Sequence, residues 1–158
     1  STNQFADPTA VYARVFDATG TAIGGDITVA TGPTLKVSVV NPTVSSLPDG
    51  GFFVTWDDRS NTSAYKLYGQ RFNATGSPVS TAFVLNTSTY DKEVTNTVLA
   101  NGDIAVAWVS ALTTQLRVQV FTVDGTKVGT EQTVYTATAL AQPSLMPLKQ
   151  SVLARQAR

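Results

Sequence analysis

The ten residues LYGQRFNATG, which span Leu67–Gly76, occur in two further versions in the same chain. Val11–Gly20 reads VYARVFDATG, and Leu116–Gly125 reads LRVQVFTVDG. When the three copies are aligned, a phenylalanine and a final glycine coincide, at Phe16, Phe72 and Phe121 and at Gly20, Gly76 and Gly125. Each copy therefore predicts a β-strand that ends in a turn closed by glycine, with a second strand after it.

A second motif alternates with the first. It reads NPTVSSLPDGGFFVTW over Asn41–Trp56 and EVTNTVLANGDIAVAW over Glu93–Trp108. The dipeptides Asp49-Gly50 and Asn101-Gly102 favour hairpin turns, so each version predicts two further strands. A degenerate third version begins at Gln142–Leu148, where the proline is kept but the turn and the tryptophan are missing.

Together the two motifs give four short strands in roughly fifty residues, which is typical of a β-propeller blade. We therefore expect an all-β fold of antiparallel, propeller-like blades in a single repeat domain over residues 1–158. A β-sandwich or an open β-array is the alternative. Gly51–Trp56 is nearly continuous in apolar residues, as expected where neighbouring blades cover both faces of a sheet. The predicted units are a partial blade at 11–30, blades at 41–86 and 93–135, and a degenerate partial blade at 142–154.

The composition excludes several classes of function. Charged residues make up 14% of the chain, and the formal net charge is zero, whereas an average domain has about 25% charged residues. A neutral chain lacks the basic surface that binds nucleic acid or anionic lipid, so we expect no nucleic-acid partner. No stretch is apolar enough to span a bilayer, so we expect no membrane insertion. The chain has neither Cys nor His, which excludes a Ser-His-Asp or Cys-His nucleophile within it.

The repeated residues resemble a bacterial extracellular repeat family with a pattern close to VYAQRFDA-G-PVG followed by NPSVA-L-DGGFVV-W. Val11–Val29 and Asn41–Trp56 match this pattern closely, and Leu67–Leu85, Glu93–Trp108 and Leu116–Val134 match it more loosely. The resemblance implies β-propeller-like blades that occur in tandem in large secreted or surface-attached proteins. It also implies an extracellular or cell-surface location, and it supplies no catalytic residue.

Five residues are candidate sites. Asn61, Asn73 and Asn86 each begin an Asn-X-Ser/Thr sequence, which is the acceptor pattern for N-glycosylation. Trp56 and Tyr90 are candidate ligand contacts, because aromatic faces can stack on sugar rings. A repeated tryptophan at a strand end is more typical of the core, and we favour that interpretation for Trp56.

The carboxylates do not define a site. Asp57–Asn61 follows Trp56 with clustered oxygen atoms that would suit Ca²⁺, but the equivalent positions after Trp108 carry no acid. We therefore interpret Asp57–Asn61 as a solvated loop. Other carboxylates show no arrangement that selects a pair for glycoside hydrolysis. We expect no catalytic residue, no metal and no cofactor.

These features predict a non-catalytic, extracellular structural or adhesive repeat module, which is part of a larger surface protein or of a self-assembling fibre or ring. Its expected partners are other copies of itself or neighbouring repeats, with glycans as a further class. Terminal half-blades of neighbouring copies could complete each other and give a ring or, if the rotation does not close, a filament. The alternatives are a carbohydrate-binding propeller and a fragment of a propeller glycosidase.

Overall fold

The computed structural model of the chain describes residues 10–32 and 39–136, and this part of the chain is all-β. Its strands pair in antiparallel fashion and it contains no helix, which confirms the predicted all-β, antiparallel class and is compatible both with propeller-like blades and with a β-sandwich or open β-array. The predicted degenerate partial blade at 142–154 lies outside the described residues.

The strands form a leading hairpin, a middle sheet and a final sheet, in chain order. The leading hairpin consists of β1 (Ala10–Phe16) and β2 (Ala22–Thr31). The middle sheet consists of β3 (Val39–Ser46), β4 (Phe52–Asp58), β5 (Lys66–Phe72) and β6 (Phe83–Val84). The final sheet consists of β7 (Asp91–Val98), β8 (Ile104–Ser110), β9 (Gln115–Phe121) and β10 (Lys127–Thr136). In each unit a strand pairs only with its neighbours in sequence, so each four-stranded sheet is a meander.

The tight turns between the described strands share one geometry. In the turn after β1, Gly20 N–H donates to Asp17 O over 3.0 Å and Asp17 N–H donates to Thr21 O over 2.9 Å. The same pair of bonds recurs after β3, β5, β7 and β9. Each turn ends in a glycine with φ between 83° and 95°, a backbone conformation that residues with a side chain rarely adopt. These glycines are Gly20, Gly50, Gly76, Gly102 and Gly125.

The inner strands β4 and β8 are covered on both faces. Phe53, Val54, Thr55 and Trp56 are successive residues of β4, and all four are buried. Every residue of β8 is buried as well. For β4 the covering units are the leading hairpin on one face and the final sheet on the other, so the expectation that neighbouring units cover both faces of this apolar strand is confirmed.

The middle sheet packs one face on the leading hairpin. Trp56 and Phe72 lie in this junction with Val11 and Val29 of the hairpin. The aromatic rings are supported by their cross-strand neighbours, since Trp56 stacks on Tyr68 with ring centroids 5.7 Å apart. This junction is therefore a core of aromatic rings on β-branched side chains.

The opposite face of the middle sheet packs on the final sheet. Side chains alternate along a strand, so Phe53 points away from the hairpin. It shares a core with Trp108 and Phe121 of the final sheet. These two residues are the sequence equivalents of Trp56 and Phe72, so each sheet uses the same positions to contact the unit before it.

Two of the turn glycines lie in close contact with the preceding unit. A Cβ atom at Gly76 would lie 2.2 Å from Ile27 Cδ1 of the leading hairpin. A Cβ atom at Gly125 would lie 2.8 Å from the ring of Phe83 in the middle sheet. The equivalent Gly20 has no neighbouring atom within 4 Å of this position. The absence of a side chain is thus required for packing at the second and third copies.

We expect Gly76→Ala to destabilise the protein more than Gly20→Ala. The two glycines have φ of 87° and 84°, so both substitutions carry a left-handed backbone penalty of about 1–2 kcal/mol. Only at Gly76 does the new methyl group overlap a neighbouring side chain, that of Ile27. Because the end of this side chain can shift, the overlap adds roughly 1 kcal/mol, the low end of the cost of overpacking. Chemical denaturation of both variants measures the free energy of unfolding. Equal losses would contradict the packing of Gly76 on the leading hairpin.

Candidate functional site

The turns that share this geometry lie at one end of the units, the turn end, and the other connections lie at the opposite end, the loop end. The loop end carries residues 59–65, 85–90 and 111–114. Among the described residues, the non-glycine residues with positive φ lie at or next to this end: Asn41, Tyr90, Glu93 and Thr114. Backbone strain of this kind is concentrated at functional sites, so the loop end is the candidate site.

Two of these strained residues mark equivalent β-bulges. The pairing register shifts after Val40 in β3 and after Lys92 in β7, and the next residues are Asn41 (φ 53°) and Glu93 (φ 57°). A bulge removes backbone N–H groups from the regular ladder of the sheet. At Glu93 the freed groups point into the middle sheet, toward Asp57.

Asp57 is fully buried and accepts hydrogen bonds from both sheets. The backbone N–H groups of Glu93 and Val94 donate to its two oxygens over 2.8 and 3.1 Å. From the middle sheet, Asn41 Nδ2 donates over 2.9 Å and Arg59 forms an ion pair over 2.7 Å. This carboxylate therefore joins the final sheet to the middle sheet. We call the group of Asp57, Asn41, Arg59 and the N–H groups of Glu93 and Val94 the clasp.

The interpretation of Asp57–Asn61 as a solvated loop is wrong for its first two residues. Asp57 and Asp58 belong to β4, and Asp57 is buried because its oxygens are held by N–H and guanidinium donors. These contacts make Asp57 a structural group and not a ligand for Ca²⁺. Its sequence equivalent in the final sheet is Val109, so that sheet has no matching carboxylate.

A row of buried polar side chains, the polar seam, extends from the clasp into the apolar junction between the middle and final sheets. It consists of Thr43, Ser45, Thr55 and Asn96. Asn96 Nδ2 of β7 donates to Thr43 Oγ1 and Thr55 Oγ1 over 2.9 and 3.0 Å. Ser45 Oγ donates in turn to Asn96 O over 3.2 Å. Because buried hydrogen bonds have strict geometry, this seam fixes the register between the two sheets. The equivalent of Thr55 in the final sheet is Ala107, which cannot form such bonds.

Aromatic side chains flank the clasp at the loop end. Tyr65 and Tyr90 form an edge-to-face pair with ring centroids 5.5 Å apart. The guanidinium of Arg59, which also binds Asp57, lies 5.7 Å from the centroid of the Tyr65 ring. Tyr65, Tyr90 and Arg59 are each half-buried. The predicted ligand contact Tyr90 thus keeps part of its surface accessible.

The other predicted ligand contact, Trp56, lies in the core. It is 4% exposed and is covered by the leading hairpin. A sugar cannot reach its ring in this fold, so the ligand hypothesis is wrong for Trp56. The burial confirms the core interpretation that its recurrence in the sequence favours.

A second buried polar cluster contains Asn86, which is 4% exposed. Its Oδ1 accepts a bond from Leu67 N–H over 2.9 Å. Its Nδ2 donates to Ser88 O over 2.7 Å and to Asp91 Oδ2 over 3.3 Å. A glycan on Nδ2 would break these bonds and open the junction. The folded structure therefore contradicts the prediction of a glycan at Asn86.

The other two predicted acceptors, Asn61 and Asn73, lie on exposed turns. Each uses its amide oxygen to accept a backbone N–H bond, from Ser63 and Thr75 respectively, over 3.0 Å in both cases. These bonds do not involve Nδ2, the atom that would carry a glycan. Glycosylation at these two positions is sterically compatible with the fold and stays a prediction.

The turn end carries an ion pair between Asp49 and Arg71. Gly51 N–H donates to Asp49 over 3.0 Å, and this bond and the arginine together hold the pKa of Asp49 below its ordinary value. A shallow hollow beside the pair is lined by Leu47, Pro48, Gly102 and Val123. The hollow lacks the several convergent polar groups that orient a small ligand.

The described residues contain no group of three or more His, Cys, Asp or Glu side chains that could hold a metal ion. Across 10–32 and 39–136 there is also no helix long and apolar enough to cross a membrane. No model of a known protein family matches the chain, and no curated protein matches it. The resemblance to the bacterial extracellular repeat therefore stays a prediction.

We expect Asp57→Ala to lower the free energy of unfolding by roughly 3–5 kcal/mol, the usual cost of removing one partner from a buried charged cluster. The substitution deletes the acceptor of two buried backbone N–H groups and the partner of Arg59. Asp58→Ala is the matched control, since within 10–32 and 39–136 the Asp58 side chain bonds only to the N–H of nearby Ser60. Urea denaturation compares the two variants. If Asp57→Ala loses no more stability than Asp58→Ala, the clasp is not what joins the sheets.

The buried cluster at Asn86 has a pH-dependent member. Burial raises the pKa of Asp91 above its ordinary value, and nearby Glu131 acts in the same direction. Hydrogen bonds from Asn86 and Ser110 and the charge of Arg117 oppose the shift without cancelling it. The folded state therefore binds this proton more tightly than the unfolded state does. The contribution of Asp91 to stability is consequently lost as pH rises from its unfolded pKa through its folded pKa.

We therefore expect Asp91→Asn to gain stability relative to the wild type as pH rises from about 3 to about 7. Asn cannot ionise, so the variant avoids the cost of a buried charge above the folded pKa. Subtracting the two free energies of unfolding at each pH cancels the contributions of the other carboxylates to stability. These include Asp49, whose lowered pKa makes the protein more stable as pH rises. A difference that is flat, or that falls with pH, would show that Asp91 ionises without cost.

Proposed function

We propose that this chain is a non-catalytic repeat module, structural or adhesive, that lies outside the cell or on its surface. Its sheets act as propeller-like blades, either within a larger surface protein or as subunits of a fibre or ring. The resemblance of Val11–Val29 and Asn41–Trp56 to the bacterial extracellular repeat supports this location. The function of such a module lies in the array that it builds and in the surface that the array presents.

The observation that carries this proposal is the equivalence of the two junctions. Trp56 and Phe72 contact the leading hairpin, and Trp108 and Phe121 contact the middle sheet in the same way. A unit that repeats its contact face can be stacked on further units, as in propellers and solenoids. The buried polar groups between the sheets, including Asp57, are engaged in holding the units together.

A carbohydrate-binding propeller is the second candidate, and one feature of the loop end favours it. Tyr65 and Tyr90 place two half-exposed rings beside the guanidinium of Arg59. Aromatic faces with a neighbouring hydrogen-bond donor are well suited to a sugar ring. Residues of the buried junctions, such as Trp56, would take no part in this binding.

Surface labelling and a glycan array separate these candidates. An antibody against the chain is expected to label intact cells of the producing organism, and external protease is expected to remove the label. Label that appears only after lysis would contradict the proposed location.

On the glycan array we expect no signal above background. Binding that Tyr90→Ala abolishes and the loop control Asn61→Ala keeps would replace the structural role with carbohydrate recognition.

A further inference from the structure

The turns that share one geometry differ in the residue that precedes the glycine. This residue is threonine in two of them, aspartate in two others, at Asp49 and Asp124, and asparagine in one, at Asn101. In asparagine and aspartate, attack of the next backbone nitrogen on the side-chain Cγ closes a five-membered ring. The nucleophile and the electrophile then belong to the same chain, which favours the reaction over a bimolecular one. Threonine has no carbonyl group that could react in this way.

The residue that follows the asparagine controls how readily the ring closes. A side chain on that residue crowds the attacking nitrogen, and a proline has no N–H to lose. Asn101 is the only asparagine of the chain that is followed by glycine. A Cβ atom at Gly102 would have no neighbouring atom within 4 Å. Both the residue type and the local packing therefore leave the nitrogen of Gly102 uncrowded.

Asp103 contacts both polar atoms of the Asn101 amide. Asp103 N–H donates to Asn101 Oδ1 over 3.1 Å, and Asn101 Nδ2 donates to Asp103 Oδ2 over 2.8 Å. The N–H donor is placed to stabilise the negative charge that develops on Oδ1 when a nucleophile attacks Cγ.

The folded turn restrains the nucleophile. Gly102 N–H donates to Leu99 O over 2.9 Å, so this bond must break before the nitrogen can attack. Asn101 is exposed, and exposed turns are among the parts of a protein that open at the lowest free energy. The reaction is therefore accessible from the folded protein through a local opening of this turn.

The two aspartates at the equivalent position are protected at neutral pH. A bond from Gly51 N–H and the contact with Arg71 lower the pKa of Asp49. Bonds from Thr122 and Thr126 lower the pKa of Asp124. Both side chains are therefore ionised at neutral pH, and a negatively charged carboxylate resists attack by a nucleophile. The neutral amide of Asn101 has no such protection.

We propose that Asn101-Gly102 is a site of spontaneous covalent modification in the folded module. The nitrogen of Gly102 loses its proton to solvent and bonds to Asn101 Cγ. The bond from Cγ to Nδ2 breaks, and Nδ2 takes up a proton from solvent and leaves as ammonia. Water then adds to either carbonyl group of the succinimide ring, and opening of the ring yields aspartate or isoaspartate. The only co-reactant is water.

Both products weaken the turn. The new carboxylate cannot donate to Asp103, and it places a second negative charge beside that side chain. Isoaspartate also adds a methylene group to the main chain within a tight turn. Gly102 lines the hollow at the turn end together with Leu47 and Val123. The modification therefore acts where the middle and final sheets meet, and it makes the age of the molecule a determinant of its stability.

The test follows the full wild-type chain during incubation at neutral and at mildly alkaline pH. Peptide mass spectrometry measures the replacement of NH2 by OH at each asparagine. We expect this replacement at Asn101 to be at least about tenfold faster than at Asn61 or Asn73, a difference of about 1.4 kcal/mol in activation free energy. These two residues are matched internal controls, because they lie in exposed turns and are followed by Thr62 and Ala74.

Three further observations belong to the expected result. The rate at Asn101 rises with pH, because the attacking nitrogen must lose its proton. The amount of ammonia released equals the amount of modified protein. The modified protein, separated by anion exchange, unfolds at a lower urea concentration than the unmodified protein does.

Two variants assign the reaction to this dipeptide. Asn101→Ser removes the amide and should abolish the release of ammonia from this turn. Gly102→Ala keeps the amide but crowds the nitrogen, and it should slow the reaction at Asn101 about tenfold. Because Gly102 has φ of 88°, circular dichroism checks that this variant is folded. If it is not, the comparison of Asn101 with Asn61 and Asn73 in the wild type still decides the outcome.

Two results would overturn the inference. The first is an amide at Asn101 that persists as long as those at Asn61 and Asn73, which would show that the folded turn prevents the attack. The second is a folded Gly102→Ala variant that reacts as fast as the wild type, which would show that the nitrogen of Gly102 is not the nucleophile. Neither result bears on the expected surface label or on the glycan array.

Discussion

A single β-sheet with two apolar faces cannot bury both of them, and this constraint governs the described part of the chain. The middle sheet carries Trp56 and Phe72 on one face and Phe53 and Leu67 on the other. Burial of one such side chain contributes about 1.5–3 kcal/mol. A sheet without both neighbours would thus lose an amount comparable with the whole stability of a domain, about 5–15 kcal/mol. We therefore expect these units to be stable only as neighbours.

Polar groups give this apolar stack a defined order. The face of the middle sheet toward the final sheet presents Asp57 and Thr55, which need the N–H groups and the amide of β7. The equivalent positions of the final sheet are Val109 and Ala107, and the latter lies in a separate apolar cluster with Leu116 and Val118. A neighbour that did not supply the N–H groups of Glu93 and Val94 would leave Asp57 buried and underbonded, so such a neighbour is disfavoured.

The repeats predict the strands, the turns and the aromatic core, because these depend on residue types that recur at fixed positions. The turn glycine must adopt positive φ, and the tryptophan is buried in both motifs that contain it, so both are visible by self-alignment. One strand is shorter than its copies suggest. β6 comprises only Phe83–Val84, while Pro78, which cannot donate a backbone bond, forms an isolated bridge with Phe72.

The sequence did not predict two features, the hydrogen bonds of Asp57 across the sheets and the burial of Asn86, the predicted glycosylation acceptor. Asp57 is bound by N–H groups of Glu93 and Val94, 36 and 37 residues further along the chain, and a backbone bulge that no side-chain pattern marks makes them available. The signal that could have pointed to Asp57 is its difference from Val109 at an otherwise repeated position. At Asn86 the acceptor pattern is local, whereas burial depends on contacts with Leu67 and Asp91.

Native-state hydrogen exchange at increasing denaturant tests most directly whether the sheets are stable only together. It reports the free energy at which each amide becomes exposed to solvent. If the junction holds both sheets, the amides of β4 and β8 are expected to open with the same free energy and the same dependence on denaturant. If β8 instead exchanges through a much less costly opening while β4 stays protected, the final sheet unfolds independently and the mutual dependence of the sheets is contradicted.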